Sequence, residues 1–146
     1  MREAYCASMR QHIDSNIRQL NELRAIQRPL NPFETLAAER LIQVLIESCI
    51  GLAKHWVKAK GLGLVTDANR AFVLLEQYGE INTGALNWHK IIGIRNALVH
   101  DYLNLDTEVL LDIIQQKRYQ DLDGFSRLAI KALMTLPIKP TIPKSK

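Results

Sequence analysis

The sequence holds only two cysteines, Cys6 and Cys49, in no C-x-x-C arrangement, which excludes a disulfide framework and a thiolate zinc site. That usage suits a reducing compartment, and a cytoplasmic protein is expected. No apolar run approaches the ~18 residues that span a bilayer. The first residues, MREAYCASMRQH, are charged and polar, unlike a basic stub followed by an apolar core, so no secretory leader is expected. Glycine is sparse, and Gly61-Leu62-Gly63 is followed by no Lys-Ser or Lys-Thr pair, which excludes a phosphate-binding P-loop there. A dominant charge is also missing. The formal net charge is +4, and Lys139, Lys144 and Lys146 at the end supply three of those units, so the remaining body is nearly neutral. Net charge therefore decides nothing about partners. Strand-like alternation is nearly absent as well.

What is present is helical periodicity, in a chain of 146 residues with 47% hydrophobic and 23% charged residues, enough for one core of ordinary size. A first amphipathic helix is expected over about 2–27, with Tyr5, Met9, Ile13, Ile17 and Leu20 on one face, ended by Arg28-Pro29. Asn31, Pro32 and Glu34 then form a start signal: a cap, a residue of fixed φ in the first turn, and a carboxylate that returns a hydrogen bond. The helix they open is expected to reach about Lys60, before the Gly-Leu-Gly stop. Its stripe of Leu41, Val44, Leu45, Ser48, Leu52 and Trp56 is close to a heptad seam, which asks for a partner helix. A third helix is expected over 67–78, capped by Thr66 or Asp67 and ended by Gly79. A fourth runs from near Thr83 through His100, and a fifth from Asp106 to about Met134, with a bend or close approach at Gly124. The expectation is an all-α, antiparallel bundle of four to five helices, with residues 1–136 as one domain and 137–146, rich in Pro and Lys, as a mobile tail.

The chemistry concentrates in Ile94-Arg-Asn-Ala-Leu-Val-His-Asp-Tyr102. On a continuous helix Arg95 and Tyr102 lie within about 20° of each other, and Asn96 and His100 sit one turn apart on the adjacent stripe. Ile91, Ile94 and Leu98 face the other way, toward the bundle. Taken alone, Arg and His near a helix end also fit local hydrogen bonds to the last carbonyls.

The full pattern R-N-x-L-V-H-x-Y at residues 95–102, preceded by Ile-Gly-Ile, resembles the signature of the HepT-like toxin family of the HEPN superfamily. The resemblance extends through E47-S-C-I-G-L-A-K-H-W56, G61-L-G-L64, R70-A-F-V-L-L75 and G79-E-I81, about Leu36 to Leu110 in all. It departs at Gly51, where the family often carries an acid, and at Val65, where it often has proline. The resemblance implies a toxin endoribonuclease that needs neither metal nor cofactor: the ribose 2′-hydroxyl attacks the adjacent phosphate and leaves a cyclic phosphate end. It assigns Arg95, Asn96 and His100 to catalysis. It also implies a cognate antitoxin, a minimal nucleotidyltransferase that adenylylates Tyr102 and so neutralises the toxin. The other reading kept open is a non-catalytic binding subunit of such a transferase.

The residue types fit the implied reaction. An imidazole, which ordinarily titrates near about 6.5, exchanges protons at neutral pH, while guanidinium is a permanent forked donor for phosphate oxygens. Asn96 can orient the phosphate or His100. One histidine per motif, together with the seam on the second helix, leads to the expectation of a homodimer whose facing motifs supply an acid and a base.

Other residues keep two readings. His89 could line an RNA groove or be a surface histidine, and Lys54, His55 and Lys58 could contact phosphates or form a solvated face. Trp56 and Trp88 could stack bases or pack in the core. His12 has no matching ligand nearby in sequence, and Cys6 and Cys49 read as packing residues.

Overall fold

The structure, a computed structural model, describes residues 2–100 and 106–137. The helices are α1 (Arg2–Arg24), α2 (Pro32–Lys60), α3 (Ala68–Gln77), α4 (Trp88–Val99), α5 (Thr107–Gln115) and α6 (Tyr119–Thr135). No strand occurs among the described residues, and none of these helices is long and apolar enough to cross a membrane. The expected tail, Pro137 excepted, lies outside the described residues.

The start signal of α2 forms as its chemistry requires. Asn31 Oδ1 accepts from the Glu34 amide at 2.8 Å, and Glu34 Oε1 accepts from the Asn31 amide at 2.8 Å. Arg28 then grips the same carboxylate with both terminal nitrogens, at 2.7 and 2.8 Å. That guanidinium, followed by the Asn31 amide, holds the Glu34 carboxyl at about 2, below its ordinary 4.5. A group with a depressed folded pKa stabilises fully above its ordinary value and loses that contribution as pH falls through the folded one. Glu34→Gln is therefore expected to flatten the dependence of melting temperature on pH between about 4.5 and 2. Circular dichroism melts of the two proteins across that window check this, and parallel curves would contradict it.

Packing directions follow from the cross-helix bonds. Arg2 Nη1 donates to the carbonyls of Leu133 and Leu136, Arg10 binds Asp123 at 2.7 Å, and the Tyr119 hydroxyl reaches Asn21, so α1 and α6 run antiparallel. Asn16 donates to the Leu41 carbonyl at 2.9 Å and Tyr5 stacks on His55, which makes α1 and α2 antiparallel too. Helix α2 is central, packing against α1, α3, α4 and α6. Its near-heptad seam is spent on those neighbours: Leu45, Leu52 and Trp56 are buried within this chain. The seam thus gives no reason for a second copy.

An aromatic cluster ties four helices together. Phe72 stacks on Trp88 with centroids 3.8 Å apart, Trp88 meets Phe125 edge-on at 4.8 Å, and Trp56 approaches Phe125 at 6.2 Å. Both tryptophans are buried, so they are core residues and present no face to a base.

Two boundaries differ from expectation. Helix α4 starts at Trp88, not near Thr83, because Gly84 turns the chain at φ 78° and the Asn87 side chain caps the Lys90 amide at 3.1 Å. The expected fifth helix is two. Continued without a break, the buried stripe of Leu110 and Ile114 would next bring Arg118 into the core. The chain instead turns at Lys117, with φ 54°, which leaves Gln115–Arg118 exposed and restarts at the buried Tyr119. At Gly124 no close approach occurs, since a Cβ there would meet nothing within 4 Å.

Candidate functional site

Helix α4 carries the motif, and its end decides how the motif is displayed. The last helical residue is Val99; His100 is the C-cap at φ −105°, ψ 86°, with its amide still donating to the Asn96 carbonyl at 3.0 Å. His100 therefore leaves from a turn at the helix end, one turn above Asn96, and both side chains are exposed. Arg95 points differently, toward the seam between α4 and α2, with only 24% of its side chain exposed. It bends back so that Nε donates to Asn96 Oδ1 at 2.9 Å. The structure thus brings Arg95, Asn96 and His100 together at the end of α4. Tyr102 lies outside the described residues. Its expected 20° offset from Arg95 presumed a continuous helix, whereas α4 stops at Val99.

Across the seam stands a residue that sequence reasoning did not assign to the site. Glu47 Oε2 lies 4.0 Å from Arg95 Nη1 and accepts from Gln43 Nε2 at 3.3 Å, so a polar chain Gln43–Glu47–Arg95–Asn96 crosses from α2 to α4. The carboxylate is partly solvated, which makes this pair an orienting contact more than a source of stability. The available signal was Glu47 opening the E47-S-C-I-G segment, one turn after Gln43. The next turn of α2 carries Gly51, and there a Cβ would stand 3.4 Å from the Tyr5 hydroxyl. Tyr5 occupies the space a larger side chain would need.

The other candidates separate. His55 lies against the Tyr5 ring at 4.0 Å, and burial, then Lys58, pushes its pKa down. Lys54 donates to the Thr66 carbonyl at 3.5 Å, so it is engaged with the loop after α2, while Lys58 is exposed. His89 and His12 are both exposed. Cys6 and Cys49 are buried, and burial pushes both thiols up; neither is an activated nucleophile. Among the described residues no three His, Cys, Asp or Glu side chains are grouped to hold a metal ion. An apolar cleft of about 290 Å³ opens between α2, α4, α5 and α6, floored by Ile46, Ile91, Ile94 and Ile113. It lies on the far side of α4 from Asn96 and does not include the motif's polar residues.

In chemical terms the end of α4 offers a fixed cation, an amide and an imidazole within about one and a half helical turns, two of them open to solvent. A phosphodiester can be bound and exchanged a proton by such a set. The family model for Ribonuclease HepT-like proteins matches residues 8–129. The mRNA nuclease HepT of Shewanella oneidensis is 31% identical over 85 residues, 58% of this chain and 63% of that protein, so this chain spans just under two thirds of that relative's length. A crystallised toxin–antitoxin with AMP-PNP superposes with a TM-score of 0.74 over 85% of this chain and 96% of that one, at 22% identity, a likeness of fold.

Proposed function

The chain belongs to the HepT-like ribonuclease family, and from that premise we propose that it is a toxin endoribonuclease that cleaves RNA without a metal ion. The observation that carries this is the Arg95–Asn96 side-chain bond near the end of α4, with His100 exposed at the helix cap one turn beyond Asn96. In the proposed reaction the ribose 2′-oxygen attacks the adjacent phosphorus. The O2′–P bond forms and the P–O5′ bond breaks, leaving a 2′,3′-cyclic phosphate and a 5′-hydroxyl. His100 takes the 2′-proton or protonates the departing 5′-oxygen. Arg95 neutralises the charge that gathers on the non-bridging oxygens. Asn96, held by Arg95 Nε, orients the phosphate. A second copy of the chain, with its motif facing this one, would supply the other imidazole; the homodimer rests on that need and no longer on the α2 seam.

Regulation is proposed to come from a partner nucleotidyltransferase acting in the cytoplasm as antitoxin. It would join the Tyr102 phenolic oxygen to the α-phosphorus of ATP and release pyrophosphate. The H-x-Y sequence supports this, because an adenylate two residues after His100 brings a negative charge and a nucleoside to the place of the RNA phosphate.

The test uses purified chain and RNA in excess chelator. Cleavage giving cyclic phosphate and 5′-hydroxyl ends is expected. Incubation with the transferase and ATP is then expected to add one adenylate by intact mass and to stop cleavage, and Tyr102→Phe to prevent both effects. Cleavage only with added divalent metal would overturn the mechanism. An inert wild type would favour the binding-subunit reading.

A further inference from the structure

The exposed face of α4 reaches well beyond the motif. His89, Gly93, Asn96 and His100 follow one another at one-turn spacings and all are exposed, with Lys90 beside them. The stretch from His89 to His100 spans about 16 Å along the helix. Of the six described helices, α4 alone has no Asp or Glu, although the chain has 15 acids. Within α4 itself, then, no carboxylate repels a polyanion, although Asp112 and Asp121 line the cleft that Lys90 also flanks.

Gly93 sits in the middle of this face. Glycine within a helix is less favourable than alanine, and nothing inside the chain requires it: a Cβ at Gly93 would meet no atom within 4 Å. Gly124 is equally open but stands among Asp121, Asp123 and Ser126. Only at Gly93 does an open helical glycine coincide with a helix free of acids, whose exposed line ends in the candidate catalytic residues.

Resting on the ribonuclease reading, we propose that this face is the track of the substrate strand. The sugar–phosphate backbone beside the scissile phosphate runs from His100 past Gly93 to His89 and Lys90, and the missing side chain at Gly93 lets it lie against the helix. Lys90 and His89 contact phosphates and carry no sequence information.

The test measures binding of a labelled, short 2′-O-methylated oligoribonucleotide, which cannot undergo 2′-attack, alongside cleavage of the unmodified RNA. Gly93→Leu is expected to weaken binding about tenfold. Lys90→Gln is expected to lower the slope of log affinity against log salt by about one unit. Gly93→Ala separates this proposal from a structural role: it is expected to raise the melting temperature by about 2–4 °C, as a better helix former, and still to weaken RNA binding. A Gly93→Ala protein that is more stable and binds RNA as wild type does would overturn the track. Gly93→Leu that leaves RNA binding intact but turns a dimer into a monomer by light scattering would overturn it in favour of a second copy on this face. Wild type that neither binds nor cleaves RNA would sink the ribonuclease reading and the track with it, whereas active wild type with indifferent α4 variants would sink the track alone.

Discussion

His100→Ala is expected to lower RNA cleavage by about 10²- to 10⁴-fold, the usual worth of a positioned general acid or base, while the protein keeps its helix content. The structure separates the two effects. His100 lies past the last residue of α4 with its side chain exposed, and its amide bond to the Asn96 carbonyl survives any substitution but proline. Arg95→Ala is expected to lose a comparable amount, about 10²- to 10³-fold, because it removes the forked cation proposed to bind the phosphate. It also releases Asn96 Oδ1 and Glu47 from their contacts, so Arg95→Lys, which keeps the charge and loses the fork, is expected to recover only part of the rate. Initial rates on RNA with circular dichroism on the same samples check this. Either alanine variant cleaving at the wild-type rate would remove that residue from the mechanism.

Trp88→Ala is expected to cost about 3–5 kcal/mol of stability, in the range for deleting a buried aromatic side chain, and so to lower the melting temperature by roughly 10 °C. Trp88 is 6% exposed, stacks on Phe72 and meets Phe125 edge-on. It is also the first residue of α4, so its ring fixes where that helix leaves the loop. Trp88→Phe keeps a ring between Phe72 and Phe125 and is expected to cost distinctly less. Denaturant unfolding of the three proteins measures the difference. A loss under about 1 kcal/mol for the alanine variant would show that the aromatic cluster does not anchor α4.

The sequence by itself determined the features that depend on neighbours along the chain. Asn31, Pro32 and Glu34 define the start of α2, and Gly61 its left-handed end. Asp67 and Asp106 serve as caps, and apolar spacing specified an all-helical chain. These are local signals because a cap or a helical stripe involves residues only three or four positions apart. The motif at 95–102 was legible for the same reason, and with it the family. What tertiary structure decided is where distant residues compete for the same space. The expected fifth helix breaks at Lys117 because the interior accepts Ile114 and Tyr119 but not Arg118. The near-heptad stripe of α2, which in sequence asked for another chain, is satisfied by α1, α3, α4 and α6. Trp56 and Trp88 became core residues because two other helices, α3 and α6, converge on them. Glu47 entered the candidate site only when α2 and α4 were laid together, 48 positions apart in sequence at Arg95. Periodicity states which side of a helix is apolar, but burial and ion pairing depend on what packs against that side, and that is settled only when the whole chain has closed around its core.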